Sequence, residues 1–290
     1  MYYLLSLLSG ILISLMVAFN GGLTERYGIY SAAVIIHVIG LLFIAAIVLI
    51  KREKPFAGRH VWYLYLGGAV GVFTTVFNNF AFGRISVTAI LALGLLGQSL
   101  SGIIIDQFGL CGMAKHPFSG RKLIGLSFIL IGIAFMINSF ELIAVTVSFI
   151  SGVTIVTSRT LNGKLADLTS VQISTFFNYA VGLVGAVFIF LIIEGGEALY
   201  PGFGTEPFSS NWWIYFGGLL GVAVVYIINV VVVKISAFYL TLLVFVGQVF
   251  SGIVVDIIIS GELSYRALIG GLLVAMGLSA NLFLDKKKHA

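Results

Sequence analysis

The sequence predicts an all-α integral membrane protein, with ten transmembrane helices laid out as two inverted five-helix repeats. Three observations carry that prediction. The first is composition: 60% of the 290 residues are hydrophobic and 9% are charged, against roughly half and about a quarter in a soluble domain. No soluble core hides that much apolar surface, so lipid must cover it. The second is that the apolar residues fall in continuous runs long enough to cross a bilayer, without the alternation of barrel strands. The third is an internal repeat. Gly67-Gly68, Gly71-Val72, Asn79, Ile85-Ser86, Gly97-Gln98, Ser101-Gly102-Ile103 and Asp106 recur, at one constant offset and without a gap, as Gly217-Gly218, Gly221-Val222, Asn229, Ile235-Ser236, Gly247-Gln248, Ser251-Gly252-Ile253 and Asp256. A tandem duplication builds two versions of one unit.

Taken in order, the runs of the first repeat (residues 1–140) are Tyr3–Phe19, Ile29–Ile50, Val61–Phe82, Ser86–Phe108 and Leu123–Ser139. Those of the second (residues 141–290) are Leu142–Leu161, Val171–Ile193, Trp212–Val233, Ser236–Ser260 and Ala267–Leu284. The first run has no preceding Lys or Arg and no small-residue cleavage signature, so it reads as a retained helix. Connections are short except Gly109–Lys122 and Glu194–Asn211, the latter holding Pro201 and Pro207. The single cysteine, Cys111, excludes an intrachain disulfide and reads as a loop residue. Tyr3, Trp62, Tyr63, Trp212, Trp213 and Tyr265 read as interfacial anchors.

The net charge of +5 does not point to nucleic acid, because the basic residues sit between the apolar runs, where they set topology. With the N-terminus in the cytoplasm, the inner loops hold Lys51, Arg52, Lys54, Arg59, Lys115, Arg121, Lys122, Arg159, Lys164, Lys234, Lys286, Lys287 and Lys288. The outer loops hold Arg26, Arg84 and Arg266, together with Glu194, Glu197 and Glu206. Both termini are therefore expected inside the cytoplasmic membrane. Five is odd, so the second repeat starts outside and is inverted relative to the first. Such a pair can pack in two ways that exchange the roles of the halves, which is the structural basis of alternating access.

The polar residues inside the runs are the candidate site. Gln98 and Gln248 lie near the middle of the fourth and ninth runs, where an amide facing hydrocarbon is costly. Gly94, Gln98 and Ser101 share one helical face, and Ser251 repeats Ser101. His37 lies mid-run, with Asn178 beside its equivalent position in the seventh. Asn20 and Asn162 close the first run of each repeat, as cavity residues or as helix caps. Asn78, Asn79 and Asn229 are further cavity candidates. Asp106 and Asp256 stand near the ends of the fourth and ninth runs as gates or proton sites. The glycine pairs Gly67/Gly71 and Gly217/Gly221 read as close helix packing. No Cys or second His accompanies His37 at ligand spacing, so no metal is expected. There is no Walker motif, and Gly125-Leu126-Ser127 and Gly277-Leu278-Ser279 lack the partners a serine nucleophile needs. No catalytic residue and no cofactor is expected. The runs carry no central Asp or Glu, which argues against a strongly cationic substrate.

The block Gly97-Gln98, Asp106-Gln107-Phe108-Gly109-Leu110, Gly112, Pro117, Arg121 and Gly125 resembles the signature of the YdcZ-type family of the drug/metabolite transporter superfamily. Asn20-Gly21 and Asn162-Gly163, with Gly40 and Gly182, resemble further elements of that family. The second repeat departs after Asp256, where Ile257-Ile258-Ile259 replaces Gln-Phe-Gly. The resemblance implies a fused ten-helix, EamA-like chain that works as a secondary active transporter, an exporter, of a small organic solute. A lipid flippase of the same fold is the alternative. The expected partners are a small-molecule substrate and the lipid bilayer, with protons as a coupling ion. The default state is a monomer, with a homodimer as the alternative.

Overall fold

The structure is a computed structural model that describes residues 1–56, 58, 60–108, 122–136, 141–195, 209–231, 234–235, 237–261 and 263–286. Among these residues the regular structure is helical. In the first half lie α1 (Tyr2–Tyr27), α2 (Ile29–Ile50), α3 (Gly67–Ala81), α4 (Val87–Phe108) and α5 (Lys122–Met136). In the second lie α6 (Leu142–Leu168), α7 (Val171–Ile193), α8 (Phe216–Val231), α9 (Ala237–Ser260) and α10 (Tyr265–Lys286). Short 3-10 turns, Trp62–Leu66 and Trp212–Tyr215, lead into α3 and α8.

Local chemistry sets the breaks. Gly28 separates α1 from α2 with φ 84°, a left-handed conformation that glycine adopts without a Cβ penalty. At the equivalent junction Ser170 caps α7, its side chain accepting from the Ile173 backbone N–H. α1 and α6 run on past the apolar stretches that announce them, to Tyr27 and Leu168. Lys164, expected in an inner loop, is therefore a helical residue of α6, as is Arg159, which is counted with the inner-loop charges although the apolar run Leu142–Leu161 already includes it. Hydropathy drops at these helix ends because one side faces protein, but the backbone ladder does not depend on hydropathy.

Among the described residues seven helical segments are long and apolar enough to cross a membrane: α1, α2, α6, α7, Val87–Ile104, Trp212–Val231 and Leu243–Ser260. The other three expected spans are α3, α5 and α10. α3 carries Thr74, Thr75, Asn78 and Asn79 within fifteen residues. Among the described residues α5 and α10 carry the apolar segments Ser127–Met136 and Tyr265–Gly277. Large apolar side chains such as Leu4, Leu42, Leu49, Val184, Phe188 and Ile192 point outward, while Ser9, Ser14, Asn20, Ser148, Asn162 and Thr175 are buried. That is the distribution of a bundle dissolved in lipid.

The packing is reciprocal between the halves. α1 packs on α8 and α9, and correspondingly α6 packs on α3 and α4; α2 meets α7, α4 meets α9, and α5 meets α10. Equivalent helices cross antiparallel. Gly40 lies against the Tyr179 ring, and its counterpart Gly182 lies against the His37 ring. Gly125 meets Gly277 where Gly132 meets Gly270, so α5 and α10 run in opposite directions. Reciprocal contacts of this kind are the mark of a two-fold axis, and antiparallel counterparts make the repeats inverted. Glycine permits the closest crossings: a Cβ on Gly68 would lie 2.1 Å from the Asn178 carbonyl oxygen, and one on Gly218 would lie 2.5 Å from that of Ile36. At one end, α4, α5, α9 and α10 enclose an apolar core that includes Ile90, Leu93, Ile133, Phe245, Val249 and Val274.

Candidate functional site

A cavity of about 180 Å³ lies where the two halves meet. Each repeat supplies equivalent positions to it. α1 presents Ile13, Met16, Val17 and Asn20, and α6 presents Ile155, Ser158, Arg159 and Asn162. This spacing places four side chains on one helical stripe. α3 presents Gly71, Thr74, Thr75 and Asn78 opposite α8's Gly221, Val224, Val225 and Ile228. α2 gives Ile36 and His37 where α7 gives Asn178 and Tyr179. Gln98 of α4 and Gln248 of α9 complete the pairing.

Hydrogen bonds order one side of this chamber more than the other. Asn162 Nδ2 donates to Asn178 Oδ1 at 2.7 Å and to Ser158 Oγ at 3.2 Å. Ser158 Oγ donates to the Gly67 carbonyl at 2.8 Å, and Ser174 Oγ donates to the Asn162 carbonyl at 2.7 Å. Thr74 and Thr154 join their hydroxyls at 2.7 Å. Asn20 Oδ1, Asn78 Oδ1 and Asn229 Nδ2, in contrast, are buried without a protein partner. Unsatisfied amide atoms lining a cavity are matched to water or to a ligand. His37 Nδ1 lies 2.8 Å from the Ala33 carbonyl. Its ring stands 5.8 Å from that of Tyr179, the residue at the equivalent position of the other repeat.

Of the residues singled out from sequence, Gln98, Gln248, His37, Asn178, Asn20 and Asn162 line the chamber, joined by Asn78 and Asn229. Ser101 and Ser251 do not line it; the Ser251 hydroxyl donates back to the Gly247 carbonyl. Asn79 turns away and donates to the Ile29 carbonyl at 3.4 Å. Asn20 and Asn162 lie inside α1 and α6 and cap neither helix. Asp256 accepts from the Val87 backbone N–H at 2.8 Å, from the Thr88 N–H at 3.0 Å and from the Thr88 hydroxyl. Its carboxylate thus sits on the N-terminus of α4, where the helix dipole favours an anion. Asp106 falls within α4, and its side chain lies outside the described residues.

Sequence reasoning missed Arg159, assigned to a loop, and with it Ser158, Thr74, Thr75 and Tyr179. The helical spacing of Ser151, Ser158 and Asn162 would have placed Arg159 on the same stripe. Arg159 is half-buried, lines the cavity, and makes no ion pair or hydrogen bond among the described residues. No carboxylate is among the described lining residues. Nor do the described residues hold any group of three or more His, Cys, Asp or Glu able to bind a metal ion.

An inverted helical duplication around a central polar chamber defines a multi-pass membrane protein of the transporter type. Comparison with known families narrows this. The family described as "Putative inner membrane exporter, YdcZ" matches the chain twice, over residues 1–135 and 143–284. The chain belongs to that family, and each half matches it separately. A solved structure named "Crystal structure of protein" is similar over 98% of this chain and 99% of its own, with a TM-score of 0.63 and 16% identity, a likeness of fold. No curated protein is significantly similar to the chain.

Proposed function

We propose that this chain is a secondary active transporter that exports a small organic solute across the cytoplasmic membrane by alternating access. The supporting observation is the polar chamber at the seam of two inverted halves, lined by equivalent positions of both. A solute held there touches both repeats, so a change in how they pack exchanges the side to which it is open. Gln98, Gln248, Asn20, Asn162, Asn178 and His37 form the proposed substrate surface. Asp256 is the proposed gate: it ties α9 to the start of α4 across the two repeats, and that tie must break if the halves part at this end. The excess of Lys and Arg in one set of loops supports both termini in the cytoplasm. Because the fused halves satisfy each other, a monomer is the proposed working unit.

The test is transport in proteoliposomes. Saturable solute movement that responds to an imposed proton gradient, and that falls at least tenfold in the double variant Gln98→Leu/Gln248→Leu, is the expected result. Unsaturable flux identical in the two proteins would overturn the proposal.

A further inference from the structure

The two repeats donate equivalent positions to the chamber, but not equivalent chemistry. On the stripe shared by α1 and α6, Met16 and Val17 stand where the second repeat has Ser158 and Arg159. On the stripe shared by α3 and α8, Thr74, Thr75 and Asn78 stand where the second repeat has Val224, Val225 and Ile228. The more polar stripes come from α3 and α6, which pack on each other; those of α1 and α8, which also pack on each other, are apolar apart from Asn20 and Asn229. Among the described residues the chamber therefore has a polar wall bearing the Arg159 cation and, related to it by the pseudo-two-fold axis, a mostly apolar wall.

We propose that the substrate is a small amphiphilic monoanion, an organic carboxylate, bound with its carboxylate on Arg159 and its apolar body against Met16, Val17, Val224 and Val225. This rests on the transport reading above and adds the chemistry of the cargo. A guanidinium is a planar fork that matches a carboxylate with two parallel hydrogen bonds. Within a membrane-spanning helix an unpaired cation is costly and calls for an anion. Arg159 is about 13 Å from the C-terminal end of α6, at 1.5 Å per residue, too deep to be a solvated helix end. Among the described residues nothing supplies a counter-charge to it: its own stripe carries Ser151, Ser158 and Asn162, the facing helices carry Thr74, Asn78 and Gln98, and none of these is a carboxylate. One cation suits a single negative charge better than a doubly charged phosphate. The Met16, Val17, Val224 and Val225 surface then favours an apolar body over a polar one, whose water it would strip without replacing.

The test uses two skeletons in three charge states. Phenylpropionate and hexanoate, the corresponding amides and the corresponding primary amines are offered to proteoliposomes carrying the full-length wild type, Arg159→Gln or Arg159→Lys. The thermal midpoint of each purified protein is recorded to confirm folding. The expected result is saturable, mutually competitive movement of the two carboxylates, with neither amides nor amines transported. Arg159→Gln should lose at least tenfold in kcat/KM for the carboxylates, and Arg159→Lys should recover part of it. If amides or amines move saturably and Arg159→Gln leaves the rates unchanged, the anion assignment is wrong while the transport reading stands. If no probe of any charge moves saturably through folded wild type, both are overturned.

Discussion

The two walls of the chamber descend from one duplicated unit and have diverged in opposite directions. Asn20 and Asn162 occupy the same place in α1 and α6, each against a glycine at the start of α3 or α8: a Cβ on Gly217 would lie 1.8 Å from Asn20 Oδ1, and one on Gly67 would lie 2.1 Å from Asn162 Oδ1. The backbone crossing is thus held in common. The surroundings are not. Asn162 is tied to Asn178 and Ser158, whereas at the places equivalent to those two partners the first repeat has Ile36 and Met16, and Asn20 Oδ1 is left without a partner. The comparison separates two demands on the sequence. Positions where the backbones cross stay glycine in both copies, because both packings need them. Several positions facing the chamber, such as Met16/Ser158 and Asn78/Ile228, differ, as the proposed cargo with two unlike ends requires.

The largest expected effect tests the shared crossing. Gly68→Leu drives a side chain into the Asn178 carbonyl, and overpacking at a backbone contact costs about 3 kcal/mol or more. Size-exclusion chromatography should show aggregated protein. Gly102→Leu, at a site with no atom within 4 Å of the added Cβ, should stay monodisperse.

Next comes the asymmetry of the asparagines. Asn162→Ala breaks two side-chain hydrogen bonds and strands the Asn178 amide, at a cost of about 2 kcal/mol, read as a clear fall in thermal midpoint. Asn20→Ala removes an atom that already lacks a protein partner, so its midpoint should move by less than half as much. Equal shifts would mean that the two walls are not differently wired.

Asp256→Ala removes an anion from the start of α4 together with three hydrogen bonds, worth about 1–2 kcal/mol. The expected outcome is a lower midpoint and faster hydrogen exchange at the α4 N-terminus, without exchange changes at the α6–α7 junction.

The smallest effect compares Gly21 with Gly163. A Cβ on Gly21 meets the Phe82 ring at 2.3 Å, while the equivalent Gly163 has nothing within 4 Å. Gly163→Ala should raise the midpoint slightly, by about 0.5–1 kcal/mol of helix propensity. Gly21→Ala should lower it.

Much of the fold was legible in the sequence because two of its signals are strong. Continuous apolar runs announce helices in lipid, and the Gly67–Asp106 block repeats at Gly217–Asp256 without a gap. The inversion followed from counting charges and was visible again in the antiparallel crossings of α2 on α7 and α5 on α10. The ends of α1 and α6 were not legible, since hydropathy measures contact with lipid and these ends face protein. Arg159 was overlooked for another reason: it was counted with the inner-loop charges although the run Leu142–Leu161 includes it, and that hid the cation among the described lining residues. Ser101 and Ser251 were misplaced for a different reason. They share a helical face with Gln98 and Gln248, but that face is wider than the chamber, and a hydroxyl can satisfy itself on its own backbone, as Ser251 does. The difference between the walls is likewise invisible in a motif comparison, because it lies in the residues that do not repeat.

The central claim is that the inverted halves share one chamber and expose it to each side in turn. The direct measurement is the reactivity of Thr75→Cys, in a Cys111→Ser background, toward a membrane-impermeant thiol reagent applied to right-side-out and to inside-out vesicles. The account predicts labelling from either face, with the ratio of the two rates shifting when the transmembrane gradient is reversed. Labelling from one face alone under every gradient, or from neither, would contradict it.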